Sequence, residues 1–157
     1  MASEPNKPTE PTDQDFANQC RVYFGLFGTF HPQQLTNRIG VDPTTATLQG
    51  SKNAERGIPV TSIWEFSTER ITSSVIDVYE MADQIVQQLA PHSTQIRNAI
   101  SDLDLKATLQ VVIHFSTHDE VPTPAIGFSN EVLAFLTEVN ANIDICLLYT
   151  SPSPRDS

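Results

Sequence analysis

Residues 105–116 constrain the fold more than any other stretch of the chain. Leu105, Ala107, Leu109, Val111, Ile113 and Phe115 alternate with Lys106, Thr108, Gln110, Val112, His114 and Ser116. A period of two sends the first set to one face of a β-strand and the second set to the other. Only one of the two faces is firmly apolar, so the strand belongs to a sheet covered on one side. That is the pattern of antiparallel α+β proteins.

Two further segments carry strand signals. In residues 20–27, Val22, Phe24 and Leu26 alternate with Arg21, Tyr23 and Gly25, and Gly28-Thr29 ends the run. Residues 60–67 centre on Ile63 and Trp64, the single tryptophan. Residues 141–145 begin a last strand.

Helical spacing fills the intervals. His31-Pro32 opens a short helix with Leu35 and Ile39 inward, Pro32 taking the first position, where its missing N–H costs nothing. Gly40 stops it. Ser73 or Ser74 is expected to cap the longest helix, with Asp77 completing a capping-box-like pair after Ser74. Its apolar face is Val75, Val78, Tyr79, Ala82, Ile85, Val86 and Leu89. Pro91 breaks it and starts another helix with Ile96, Ala99, Ile100 and Leu103 inward. Ser129 caps a final helix with Val132, Leu133, Phe135, Leu136 and Val139 as core positions and Glu131 favouring the dipole.

The order β-α-β-α-α-β-α-β predicts a two-layer α+β domain, an about four-stranded, mainly antiparallel sheet with helices on one face. Residues 20–145 form that single domain. Residues 1–19 hold three prolines, four acids and one lysine, too few apolar groups to offset their ordering entropy, so a disordered tail is expected. They have neither the basic start nor the apolar core of a secretory signal. The other end is unusual: Cys146 to Asp156 back-translates, codon by codon, onto the end of a transposase-based sequencing adapter. Residues 146–157 are therefore expected to be non-native, with 146–149 apolar enough to prolong the last strand and 151–157 loose.

The chain carries 19 acids against 9 lysines and arginines, a net charge of −10, and its cations are scattered singly. This argues against nucleic-acid backbones, which need several cations on one face, and against anionic lipid. No apolar run approaches the length of a membrane span. One cysteine lies outside the suspect tail, which fits a reducing, cytoplasmic setting and a buried small hydrophobe.

Catalytic signatures are scarce. No Gly-x-Ser-x-Gly elbow, phosphate-binding glycine loop or Cys-x-x-Cys occurs, and no cofactor is indicated. Cys20 opens a strand without the electropositive setting a nucleophilic thiolate needs. His114 and His118, with Asp119 and Glu120, are the best metal-like cluster, since imidazoles and carboxylates are the ligands zinc favours. A spacing of four across a strand end does not force two histidines together as it would on a helix. The connection 42–57, beside Trp64, is the better candidate surface. Asp42, Thr44, Lys52 and Arg56 supply polar groups there, and long loops on a rigid scaffold often bind. Trp64 itself reads first as a core anchor, because of the area it buries.

The elements also form a recognisable series. Arg21-Val22-Tyr23-Phe24, the helix ending Leu35-Thr36-Asn37-Arg38-Ile39-Gly40, and Val41-Asp42-Pro43-Thr44 come first. Gln49-Gly50-Ser51, Ile63-Trp64-Glu65-Phe66, Leu89-Ala90-Pro91, Gly127-Phe128-Ser129 and Ile143-Asp144-Ile145 follow. In this order they resemble the bacterial domain-of-unknown-function family 4279 over nearly all of residues 20–145. The resemblance implies a small α+β domain and no established activity, and it brings no catalytic residues. The chain departs where the family tends to place an acid and this sequence has the capping His31. The functional expectation is a non-catalytic binding domain, immunity-protein-like in one version, whose partner is a protein with a basic surface. The alternative is a small enzyme or metal protein using His114 and His118 or the 42–64 region.

Overall fold

The computed structural model describes residues 17–149. Six strands form one mixed sheet, with four helices packed on one of its faces. The strands are β1 (Asn18–Gly28), β2 (Thr45–Thr47), β3 (Ser62–Ser67), β4 (Ile71–Ser73), β5 (Lys106–Phe115) and β6 (Asn142–Tyr149). The helices are α1 (Pro32–Ile39), α2 (Val78–Leu89), α3 (Ser93–Leu103) and α4 (Asn130–Val139), with a 3-10 turn at Ala90–His92 before α3. The sheet order is β2-β3-β1-β5-β6, and β4 continues along the β3 edge of β1.

The α+β class and the one-sided helix layer agree with the sequence pattern. The sheet is larger than about four strands, because β2 and β4 are three-residue pieces held by backbone pairing and leave no alternation to detect. It is also mixed. All pairs are antiparallel except β5 with β6, which run parallel because α4 carries the chain back between them.

Alternation places the core. Cys20, Val22, Phe24 and Leu26 of β1, Trp64 of β3, and Ala107, Leu109, Val111 and Ile113 of β5 share the helix-covered face and are buried. The Phe135 ring of α4 meets Phe24 edge-on at 5.7 Å. Burying each large apolar side chain here stabilises the fold by roughly 1.5–3 kcal/mol. The opposite face is open but not bare. Arg21 lies over the Tyr23 ring at 4.4 Å and reaches Glu65 at 3.8 Å. Gly25 is glycine because the Phe27 ring crosses it, and a Cβ there would sit 2.8 Å from that ring.

Several boundaries move for identifiable reasons. β1 starts at Asn18, inside the segment expected to be a tail. The 1%-exposed Asn18 amide donates to the Pro122 carbonyl at 3.0 Å and accepts from the Ser116 N–H at 2.8 Å. It thereby ties down the loop after β5. Residues 1–16 and 150–157 lie outside the described residues. α2 is capped by Asp77, which accepts from the Glu80 N–H, and not by Ser73 or Ser74. Ser73 instead turns back on the Val75 N–H, and Ile76 pairs in extended form with Ala125. Val75 and Tyr79 consequently leave the expected apolar face and are 69% and 45% exposed. Leu103 and Leu133 also sit outside the core, at 37% and 43%. β6 does extend to Tyr149, in parallel register with β5, and Leu147 is half exposed. No helix among the described residues is long and apolar enough to cross a membrane.

β3 and β6 differ in what their side chains contribute, Trp64 being fully buried and Leu147 half exposed. Trp64→Ala is expected to cost about 3–5 kcal/mol through the cavity it leaves. Leu147→Ser is expected to stay within about 1 kcal/mol, as for surface changes generally. Urea unfolding followed by circular dichroism checks both.

Candidate functional site

A concavity lies at one end of the sheet. One wall is the turn from β1 into α1, with Thr29, Phe30 and His31. The other is the connection from β2 to β3, with Leu48, Gln49 and Gly50, closed by Ala54 and Gly57. Together they border an open groove of about 650 Å³, within the size range of ligand clefts.

Both walls are fixed by backbone bonding. The connection is not a loose loop but a small hairpin. Lys52 and Asn53 donate their N–H groups to the Ile58 carbonyl at 2.9 and 3.0 Å, and Ile58 returns one to Asn53. Gly50 donates to the Pro59 carbonyl at 2.9 Å. Left-handed backbone at Gly50 and Gly57 (φ 74° and 61°) makes the bends, a conformation glycine adopts at little cost. Ser62, fully buried at the start of β3, joins the two walls. Its hydroxyl donates to the Phe30 carbonyl at 2.6 Å and accepts from the Gln49 N–H at 3.0 Å. His31 caps α1, its Nδ1 accepting from the Gln33 N–H at 3.3 Å. Among the described residues it is the one titratable side chain in the lining.

The sequence candidates do not assemble around this groove. Asp42 and Thr44 sit near the C-terminal end of β3. There the Thr44 N–H donates to the Glu65 carbonyl at 2.7 Å and its hydroxyl accepts from the Ser67 N–H at 2.9 Å. Lys52 and Arg56 stand on the exposed hairpin beyond the other end of the strand. At about 3.3 Å per residue, β3 holds the two pairs on the order of 15–20 Å apart. Trp64 lies between them but faces the helices, fully buried, with its indole N–H donating to Thr36 Oγ1 at 3.1 Å. It is the core anchor and takes no part in a surface.

His114 and His118 lie at the opposite end of β1. His114 is half-buried on the open face, in register with Gln19 and Leu148. His118 Nδ1 accepts from the Glu120 N–H at 3.2 Å. Among the described residues no three His, Cys, Asp or Glu side chains gather where they could hold a metal ion. Cys20 is 1% exposed, and burial pushes its thiol up to about 11. On the open face Tyr23 is raised by burial, then by Glu65, against the lowering effect of Arg21.

The sequence singled out the same connection through Asp42, Thr44, Lys52, Arg56 and Trp64, none of which lines the groove. Phe30, Gln49 and Ser62 form the groove through contacts between segments far apart in the chain. The only local signals were the glycines at 50 and 57.

Three outcomes follow from this geometry. Ser62→Ala leaves a partly buried carbonyl and N–H without their protein partner and should cost about 1 kcal/mol, with faster hydrogen exchange at the Gln49 amide. A thiol reagent on the native protein should label the half-buried Cys146 quickly and Cys20 only after denaturation. The Cys20 thiol ionises at an ordinary 9.0 when the chain is unfolded and at about 11 in the fold. The unfolded chain then loses its proton first, so stability should fall as pH rises from 9.0 through about 11. Cys20→Ser should remove part of that loss in a pH series of urea melts.

A sequence model of the family described as a domain of unknown function (DUF4279) matches residues 18–150. Neither the curated proteins nor the solved structures gave a match. The match spans the entire sheet with its helix layer and the groove, and the chain belongs to the DUF4279 family.

Proposed function

We propose that this chain is a non-catalytic binding domain that holds a protein partner with a basic surface in the groove at the end of its sheet. One concrete version is an immunity-type domain that blocks a cationic partner in the cytoplasm. The observation that carries it is the make-up of the groove. Two backbone-fixed walls present apolar side chains and main-chain groups, with His31 as the sole ionisable group in the lining among the described residues. Such a surface offers shape and hydrogen bonds more than proton transfer, which calls for titratable groups placed together. A preorganised surface also avoids the ordering cost that weakens binding by flexible loops. The net charge of −10 supports the choice of partner, since long-range attraction speeds encounter with a cationic surface.

Immobilised protein exposed to lysate of the source organism at low salt should retain a stoichiometric partner of basic isoelectric point. Leu48→Arg, or Ala54→Trp filling the groove, should weaken that complex by about tenfold or more, equivalent to about 1.4 kcal/mol. Recovery of no stoichiometric partner, or equal retention by the variants, would count decisively against the proposal.

A further inference from the structure

The joint N-terminal ends of α2 and α4 carry a second exposed surface, and it is apolar at its centre. Val75, Tyr79, Ile126 and Leu133 are 69%, 45%, 38% and 43% exposed. Single exposed apolar residues are ordinary, whereas contiguous ones mark contact surfaces. Specific contacts bring the segments that carry them to one corner of the fold. The Tyr79 ring lies against Gly127, where any side chain would overlap it, and Ile126 is the next residue back. Ser129 Oγ donates to Asp83 Oδ1 at 2.6 Å and ties the start of α4 to α2. Leu133 follows one turn on, its N–H donating to the Ser129 carbonyl. Val75 enters through Ile76 and Asp77, both of which pair with Ala125.

The charged side chains of these segments near the two helix starts have one sign. Asp77, Glu80 and Asp83 come from α2, and Glu131 from α4. Residues 71–96 and 107–149, which build the whole corner, contain no lysine or arginine. Helix capping accounts for Asp77 and for the first-turn position of Glu131. Asp83 in the second turn holds Ser129, but neither capping nor that bond accounts for the exposure of Tyr79 and Leu133.

The geometry points to a docking surface for an amphipathic cationic protein segment. Its apolar side chains would cover Val75, Tyr79, Ile126 and Leu133 while its lysines or arginines meet these acidic side chains. The surface lies apart from the groove, and the inference rests on the proposal that the chain is a binding domain. The choice of occupant follows from charge complementarity, which excludes like-charged partners more strongly than it adds affinity.

The test uses the full chain and a synthetic helical peptide with leucine and lysine at i, i+3 and i+4 spacing. Peptide binding is followed by fluorescence anisotropy and located by amide chemical-shift changes. The expected result is saturable binding, weakened by salt, with shifts centred on Tyr79, Asp83, Ile126 and Leu133. A peptide with glutamate for lysine, or serine for leucine, should bind at least about tenfold more weakly. Val75→Ser with Leu133→Ser, and separately Glu80→Lys, should have the same effect on the parent peptide while melting temperatures show the fold intact. Shifts centred on the groove, or binding indifferent to these variants, would overturn the docking surface and leave the binding-domain proposal standing. Absence of binding by every cationic peptide would overturn both the docking surface and the choice of a basic partner.

Discussion

The architecture depends on the burial of one face of β1. This strand pairs with β3, β4 and β5, so every other part of the sheet is positioned from it. Its Cys20, Val22, Phe24 and Leu26 are at most 1% exposed. A slip of one residue would exchange them for Arg21, Tyr23, Gly25 and Phe27 and bring a guanidinium into the core. The register is therefore set by hydrophobic burial, and the helices follow because they cover that face.

Two polar devices transmit this order to the ends of the sheet. At one end Ser62 joins the β1–α1 turn to the hairpin after β2, so one hydroxyl links the two walls of the groove. At the other end Asn18 holds the loop that follows β5. Buried polar groups are costly when unpaired, and each of these is paired in two directions. The Trp64–Thr36 bond does the same between β3 and α1, so the largest core side chain leaves no orphan donor.

Charge is distributed differently from shape. The groove hairpin mixes Lys52, Glu55 and Arg56. The corner between α2 and α4 carries acids together with exposed apolar side chains. Placing acids at helix N-termini suits the helix dipoles, and the same placement removes cations from a surface that also exposes Tyr79 and Leu133. One chain thus presents two chemically distinct surfaces, one shaped by backbone bonding and one by side chains.

The sequence by itself determined what depends on local period and local chemistry. The alternation in residues 105–116 fixed β5 and which of its faces is covered. Pro32, Gly40, Pro91 and Ser129 marked helix ends where the structure has them, because caps and breakers act within a turn. Tertiary structure decided whatever needed partners distant in the chain. The short strands β2 and β4 exist by pairing alone. The start of α2 moved to Asp77 because Ala125 claimed the backbone of Ile76. Asp42 and Thr44 were separated from Lys52 and Arg56 by the length of β3. Trp64 was turned toward the helices by the register that buries Phe24 and Leu26. Period can be read from neighbours, whereas register and the meeting of remote segments are set only when the core closes.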